Sequence, residues 1–326
     1  MPKILLFGAG GVGSIYAYIL MQAGASVTVV CRSNYETVQE HGFTINSAIW
    51  GQGIHVRPGV VRTPEEAKDV EWDFVILCSK AMPGSKPSTA DIIRPAISPR
   101  TAVVLCQNGI HIEDEYASAF PNNAIISTVI YLPVTQIAPG IITHGHLEWI
   151  EVGTYPHNAP AAHKAKVVEL AELFRAGNGT IHVYEDVQVC RWNKLITNGS
   201  WNPICALSLS KDIDFLASSP LSTSMIQSVM LEIVKIAQAA GYMDITEKNA
   251  ETHLDRVLGR IPDKGVYPSM VADAIHMRPM EIEAIVGNPL KVAREKGVKT
   301  PTLDVVYALI SALDQANARR RAEGKS

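Results

Sequence analysis

Residues 3–14, KILLFGAGGVGS, decide how the first half of the chain folds. Ile4 to Phe7 run without a polar break, as a strand covered on both faces requires. The run ends in Gly8-x-Gly10-x-x-Gly13, and a helical stretch, SIYAYILMQAGA, follows and closes at Gly24. Glycines at these positions permit a tight turn and a close backbone approach to a pyrophosphate. The helix N-terminus adds free N–H groups and about half a positive charge. A lone Gly-x-Gly-x-x-Gly is weak evidence. Here a strand, a helix and a second strand fall within about 30 residues, which makes it a dinucleotide cradle. Gly8, Gly10, Gly11, Val12 and Gly13 are its candidate residues.

The second strand, SVTVVCR (26–32), bears on which dinucleotide. A site that prefers NAD ends this strand in Asp or Glu to accept from the ribose 2′-hydroxyl, whereas a 2′-phosphate calls for a cation. The sequence offers Arg32 and Ser33, with no acid before Glu36. Arginine forks onto phosphate oxygens, so NADPH is the expected cofactor and Arg32 its 2′-phosphate contact.

Three further apolar runs, DFVILCSK (73–80), TAVVLCQNG (101–109) and AIISTVIYL (124–132), extend the pattern into a parallel-sheet series. TPEEA (63–67) reads as a short helix with a Thr cap and Pro in its first turn. Residues 137–153 read as a hairpin appended to the sheet. Near Tyr184 the pattern becomes long and helical. Residues 219–241 open with Ser-Pro and close with Gly, and residues 300–313 start at Thr-Pro. The expected architecture is an α/β N-terminal domain over residues 1–184 and an all-α C-terminal domain over 185–326. The tail RRRAEGKS reads as a frayed end.

Composition is that of an ordinary soluble globular chain: 326 residues, 47% hydrophobic, 19% charged, net charge −3. That balance gives no reason to expect nucleic acid or an anionic membrane as partner. No apolar run approaches the roughly 18 residues of a membrane span, and the opening residues do not read as a secretory leader. Cys31, Cys78, Cys106, Cys190 and Cys205 form no Cys-x-x-Cys pair, which suits a reducing cytoplasm. His144 and His146 share one face of a strand, but no ligand cluster surrounds them, so a metal is not expected.

The polar candidates lie at strand ends and on helices. Lys80 and Asn108 close the third and fourth runs, at the carboxyl ends where open parallel sheets bind ligands. In RWNKLITNGSWNP (191–203), Lys194, Asn198 and Asn202 drift only about 40° per step around a helix and share a face. Pro203 predicts a kink or a helix end at Asn202. In YPSMVADAIHMRPMEIEAIVGNPL (267–290), Ser269 and Glu281 flank a kink where two helices could aim them into one cleft. Asp273 and Arg278 read as an ion pair or cap.

Taken in order, GAGGVG, the basic CR after the second strand, SKA, CQNG, WNKLITNGSWNP and PSMVADAIHMRPMEIEAIVG resemble the ketopantoate reductase family (2-dehydropantoate 2-reductases). The resemblance spans nearly the whole chain. It implies a Rossmann N-terminal domain, a helical C-terminal domain and a site in the cleft between them, where NADPH reduces a 2-oxo acid to a 2-hydroxy acid. It further implies Lys194 as general acid and Glu281 as a substrate-binding acid. Asn198, Asn202 and Ser269 would hold the substrate, while Asn108 and Lys80 would lie near the nicotinamide. The residue types agree with that chemistry, because hydride arriving at C2 leaves charge on the carbonyl oxygen that an ammonium stabilises and protonates. A soluble cytoplasmic enzyme follows, with a small 2-oxo acid as partner and a homodimer as the candidate assembly.

Three features depart from the family pattern: the prolines and glycine in SKAMPGSKPST, Met280 before Glu281, and Trp201 beside Asn202. The expected substrate is 2-dehydropantoate, and these features leave open a pocket reshaped for another branched 2-oxo acid, such as 2-oxoisovalerate, or for a bulkier ketone or imine. A non-catalytic NADP(H) sensor is the competing class, and a retained proton donor at Lys194 argues against it.

Overall fold

The computed structural model describes residues 1–262 and 265–324, which divide into two compact units. The first comprises residues 1–108 and 112–187, the second residues 109–111 and those from 188 on.

The first unit contains strands β1 (Lys3–Phe7), β2 (Ser26–Val30), β3 (Phe43–Ser47), β4 (Gly51–Val56), β5 (Gly59–Val61), β6 (Phe74–Leu77), β7 (Ala102–Leu105), β8 (Ile125–Tyr131), β9 (Val134–Ala138), β10 (Ile141–His144), β11 (Trp149–Tyr155) and β12 (Ile181–Val183). Its α-helices are α1 (Gly11–Gln22), α2 (Tyr35–His41), α3 (Thr89–Ile93), α4 (Glu113–Ala119) and α5 (Ala161–Ala176). Eight strands form one sheet in the order β12-β11-β8-β7-β6-β1-β2-β5, parallel throughout except for β8 against β11. From β5 to β8 this is the Rossmann arrangement. The chain first winds outward from β1 to β2 and β5, then returns to lay β6 on the other side of β1. The runs read as strands are continuous because both sheet faces are covered: Ile4, Leu5 and Leu6 are fully buried, as are Phe74 to Leu77.

Residues 137–153 depart from the expected appended hairpin. Only β11 joins the main sheet, antiparallel to β8. The β9–β10 hairpin belongs to a second, four-stranded sheet, β4-β3-β10-β9, where β10 pairs parallel with the distant β3. One face of β10 is buried and the other open, so the alternation marks a strand without revealing its partner. TPEEA forms a single 3₁₀ turn, Pro64–Ala67. Thr63 does not cap its backbone, and Glu66 instead receives the Arg62 N–H at 2.9 Å.

The second unit contains α6 (Gln188–Ser208), α7 (Asp212–Ser218), α8 (Ser222–Ala239), α9 (Glu247–Leu258), α10 (Ser269–Ile275), α11 (Asn288–Lys296) and α12 (Pro301–Ala322), with a π-helical turn at Glu283–Gly287. Its core is built around α6 and α8, from Trp192, Leu195, Ile196, Ile226, Met230 and Ile233 among others. Of the kink or helix end expected at Asn202, the end does not occur, because α6 runs on through Pro203. It continues five residues past Pro203, with Ile204, Cys205 and Ala206 buried. Apolar burial on both flanks outweighs the roughly 3 kcal/mol that an interior proline costs. Half of the tail read as frayed is helical as well, since Arg319–Ala322 form the last turn of α12, and residues 325–326 lie outside the described residues. That helix begins under a buried carboxylate: Glu232 of α8 accepts from Thr302 N at 2.9 Å and Leu303 N at 2.8 Å.

Candidate active site

In the first unit the Gly-rich turn joins β1 to α1. Gly8 sits at φ +105°, and a Cβ there would lie 2.4 Å from Ser79 N, so only glycine fits. A Cβ at Gly13 would lie 2.2 Å from Gly8 O and 2.6 Å from the Leu6 side chain. Gly11 is held less tightly, its Cβ position 3.1 Å from Val134. Gly10 differs from all three. It takes the cap position of α1 in an extended conformation, and a Cβ there would meet no protein atom within 4 Å. Two glycines therefore serve the fold, whereas the space at Gly10 is left for something else. No side chain caps α1, and its first turn, which includes Val12, carries no acid, so its positive end is uncompensated locally.

A pocket of about 250 Å³ opens on this turn. Gly8, Ala9 and Gly10 form one side, with Arg32 and Ser33 just past β2 and Ser79 just past β6. The buried Asn34 amide braces the turn by donating to Ala9 O at 2.8 Å. Gln107 donates to Ser79 O at 2.9 Å, and the buried Ser79 Oγ has no hydrogen-bond partner among the described residues. Arg32 is exposed, with its guanidinium 5.8 Å from the Phe7 ring centroid. Glu36, the nearest acid in sequence, is taken up by Arg62. An uncompensated helix end, an open Gly10 face, an orphaned hydroxyl and an available arginine fit a phosphorylated dinucleotide. Neither Asn34 nor Ser79 stands out in the sequence. A polar residue within four positions past an apolar strand is the available signal for both.

Lys80 and Asn108 occupy equivalent positions on neighbouring strands, each three residues past the paired Leu77 and Leu105. Beyond Lys80 the chain turns at Gly84 and enters α3 under a Ser88 cap that accepts from Asp91 N at 3.1 Å. The two histidines of the β10 segment separate in role. His144 is buried and held at both ring nitrogens, by Ser47 Oγ at 2.9 Å and Leu147 O at 3.0 Å, and it stacks on Trp50. Among the described residues no three His, Cys, Asp or Glu side chains gather as metal ligands.

In the second unit α6 turns Lys194, Asn198 and Asn202 along one face, while Trp192, Leu195 and Ile196 pack into the core on others. Lys194 and Asn198 are half-buried and Asn202 is buried. Asn202 Nδ2 donates to Ser269 Oγ at 3.4 Å, which joins α6 to the first residue of α10. Asp273 pairs with Arg278 at 3.0 Å, as a structural ion pair. Glu281 lies just before the π turn and its carbonyl accepts from Ile285 N at 3.1 Å. Inserting a residue into a helix in this way re-aims the side chains around it. The segment 109–111 also belongs to this unit: Arg191 donates to Gly109 O at 2.7 Å, Ile110 N donates to Ala284 O at 3.2 Å and Asn288 Nδ2 to Ile110 O at 2.8 Å. Trp201 and Met280, read in the sequence as reshaping a pocket, are each only 2% exposed and belong to the helical core.

Comparison with known proteins bears on both units. Residues 4–157 match the family model "Ketopantoate reductase PanE/ApbA", and residues 186–314 match its C-terminal companion. A solved 2-dehydropantoate 2-reductase from Methylococcus capsulatus is 34% identical, covers 97% of each chain and superposes with a TM-score of 0.82. The chain belongs to the ketopantoate reductase family.

As a member of that family it is an oxidoreductase. A curated 2-dehydropantoate 2-reductase from a Nostoc species is 28% identical over 97% of this chain and 96% of its own. The same fold carries other specificities. A D-mandelate dehydrogenase solved with NADH and anilino(oxo)acetate is 23% identical, with a TM-score of 0.82 over 97% of this chain and 99% of that one. Among the described residues no helix is long and apolar enough to cross a membrane.

Proposed function

We propose that the protein uses NADPH to reduce a branched 2-oxo acid, 2-dehydropantoate first among them, to the 2-hydroxy acid. The observation that carries this reading is the polar face of α6. It combines an ammonium, Lys194, with two amides, and the last amide is tied to the Ser269 hydroxyl. 2-Dehydropantoate presents a carboxylate, a ketone and a hydroxyl, and such a face offers donors to each. Asn198, Asn202 and Ser269 bind and orient the substrate, with Ser269 at the carboxylate. Lys194 Nζ stands at the ketone oxygen, stabilises the negative charge that builds there and delivers the proton. Glu281 binds the far end of the substrate. When bound, the reduced nicotinamide supplies the hydride. Gly8, Gly10, Gly11, Val12 and Gly13 hold its pyrophosphate, Arg32 takes the 2′-phosphate, and Lys80 and Asn108 serve its nicotinamide half.

The five unbridged thiols support a reducing, cytoplasmic setting. The test is NADPH consumption at 340 nm with 2-dehydropantoate, 2-oxoisovalerate, pyruvate and benzoylformate compared by kcat/KM. The expected result is a clear preference for 2-dehydropantoate. A preference for benzoylformate would overturn the substrate assignment and retain the chemistry.

A further inference from the structure

On the helical unit, α9 and α6 enclose a second, smaller pocket of about 130 Å³, lined by Asn193, Lys248, Asn249, Thr252, His253 and Arg256. None of these residues is used in the reaction proposed above. No carboxylate lines the pocket, although Glu247, Glu251 and Asp255 lie on the same helix. Lys248, Thr252 and Arg256 recur every four residues on one exposed face of α9.

The hydrogen bonds fix which atoms face the pocket. A backbone N–H can only donate, so the bond from Thr246 N at 2.9 Å identifies Asn249 Oδ1, and Thr246 Oγ1 donates to the same oxygen at 2.9 Å. Asn249 Nδ2 then donates to Asn193 Oδ1 at 3.1 Å. His253, only 9% exposed, places Nε2 3.1 Å from that Asn193 oxygen and must therefore carry its proton there. Its Nδ1 then accepts from the Thr197 hydroxyl at 3.0 Å. Thr252 donates to Lys248 O at 2.8 Å.

Every side-chain acceptor among the lining amides and the histidine is thus occupied. What remains are four donors, Asn193 Nδ2, the second Asn249 N–H, the Lys248 ammonium and the Arg256 guanidinium, and one hydroxyl acceptor, Thr252 Oγ1. Among the described residues neither Lys248 nor Arg256 has an ion-pair partner. A concavity that offers two positive charges and directed amide donors, against a single hydroxyl acceptor at Thr252, is complementary to an oxyanion, and its volume suits a single tetrahedral group.

The geometry points to a binding site for a phosphoryl dianion, either inorganic phosphate or the phosphate end of a small phosphomonoester. Lys248 and Arg256 supply charge, and Asn193 and Asn249 supply directed N–H groups. The buried His253 fixes the orientation of Asn193 and so acts as a positioning residue. Asn193 directly precedes Lys194 on α6, so an anion bound here engages the helix that carries the candidate proton donor.

The full chain is titrated with inorganic phosphate, glycerol 3-phosphate and, as a monoanionic control, acetate, and binding is followed by calorimetry. Arg32→Gln separates this site from the dinucleotide phosphate contact, and Lys248→Gln/Arg256→Gln, both exposed changes, removes its charge. We expect phosphate or glycerol 3-phosphate binding that survives Arg32→Gln and weakens about tenfold or more in the double variant, with acetate far weaker. Tighter binding of the ester than of phosphate identifies a phosphomonoester as the natural ligand, and the reverse order identifies free phosphate. The proposal is overturned by a wild-type chain that binds neither anion, by a double variant that binds as wild type does, or by binding lost in Arg32→Gln alone.

Discussion

Replacing Gly10 by alanine separates the two duties of the Gly-rich turn. Gly10 has an extended backbone, φ −91° and ψ −156°, that alanine adopts, and the added methyl meets no protein atom within 4 Å. Folding should therefore be unharmed or slightly favoured, by about 0.4–1 kcal/mol, because alanine restricts the unfolded chain. The methyl would instead project beside the open pocket and hold a pyrophosphate off the α1 N-terminus. Losing one charge-assisted N–H contact removes about 1.5–3 kcal/mol, which weakens NADPH binding by ~10- to 100-fold. Gly13→Ala is the contrast, since its methyl would sit 2.2 Å from Gly8 O, and it should cost about 2–3 kcal/mol of stability. Urea denaturation and NADPH fluorescence titration on both variants read the two quantities separately. A Gly10→Ala protein that is fully folded and binds NADPH like wild type would refute the cradle.

Three further outcomes follow from the geometry. Arg32→Gln should weaken NADPH about tenfold or more and leave NADH nearly unchanged, and equal losses for both would remove Arg32 from the 2′-phosphate. Glu232→Ala strips two backbone N–H groups at the start of α12 of their buried acceptor and should cost about 2–3 kcal/mol in urea denaturation; a loss below about 0.5 kcal/mol would contradict that capping role. Burial, with the Arg256 charge second, lowers the His253 pKa from 6.5 to about 4. The unfolded chain then binds the extra proton first, so stability should fall as pH drops from about 6.5 to about 4, by up to ~3 kcal/mol, and level off below that. His253→Gln should flatten that part of the urea-stability profile, and an unchanged slope would show that His253 does not cause it.

The central parallel strands β1, β2, β6, β7 and β8 were legible because their burial is two-sided, whereas the three-residue edge strands β5 and β12 were not. In a βαβ series, a continuous apolar run such as Phe74–Leu77 fits a strand covered on both faces and little else. The second sheet was not legible. Gly51–Val56 is mostly exposed and glycine-rich, and β10 pairs with β3 from about a hundred residues away, so local pattern carries no trace of the partnership. The helix end allowed for at Pro203 does not occur for a related reason, since the local rule names the position and tertiary burial on both flanks carries the helix through it. Among the candidate residues, the i, i+4, i+8 spacing did foretell one face of α6. The bond from Asn202 to Ser269 joins segments 67 residues apart; the family resemblance assigned both to the substrate, and nothing in the sequence anticipated the bond itself. The inward-turned network of Asn193, Asn249 and His253 lay at helical spacing in plain view, but nothing in the sequence says which helix faces which.

The proposed role of Lys194 is tested most directly by single-turnover reduction of 2-dehydropantoate by Lys194→Ala, with NADPH affinity measured on the same preparation. The account predicts a chemical step slowed by about 10²- to 10⁴-fold, with NADPH binding retained. A variant that turns over at the wild-type rate would contradict it.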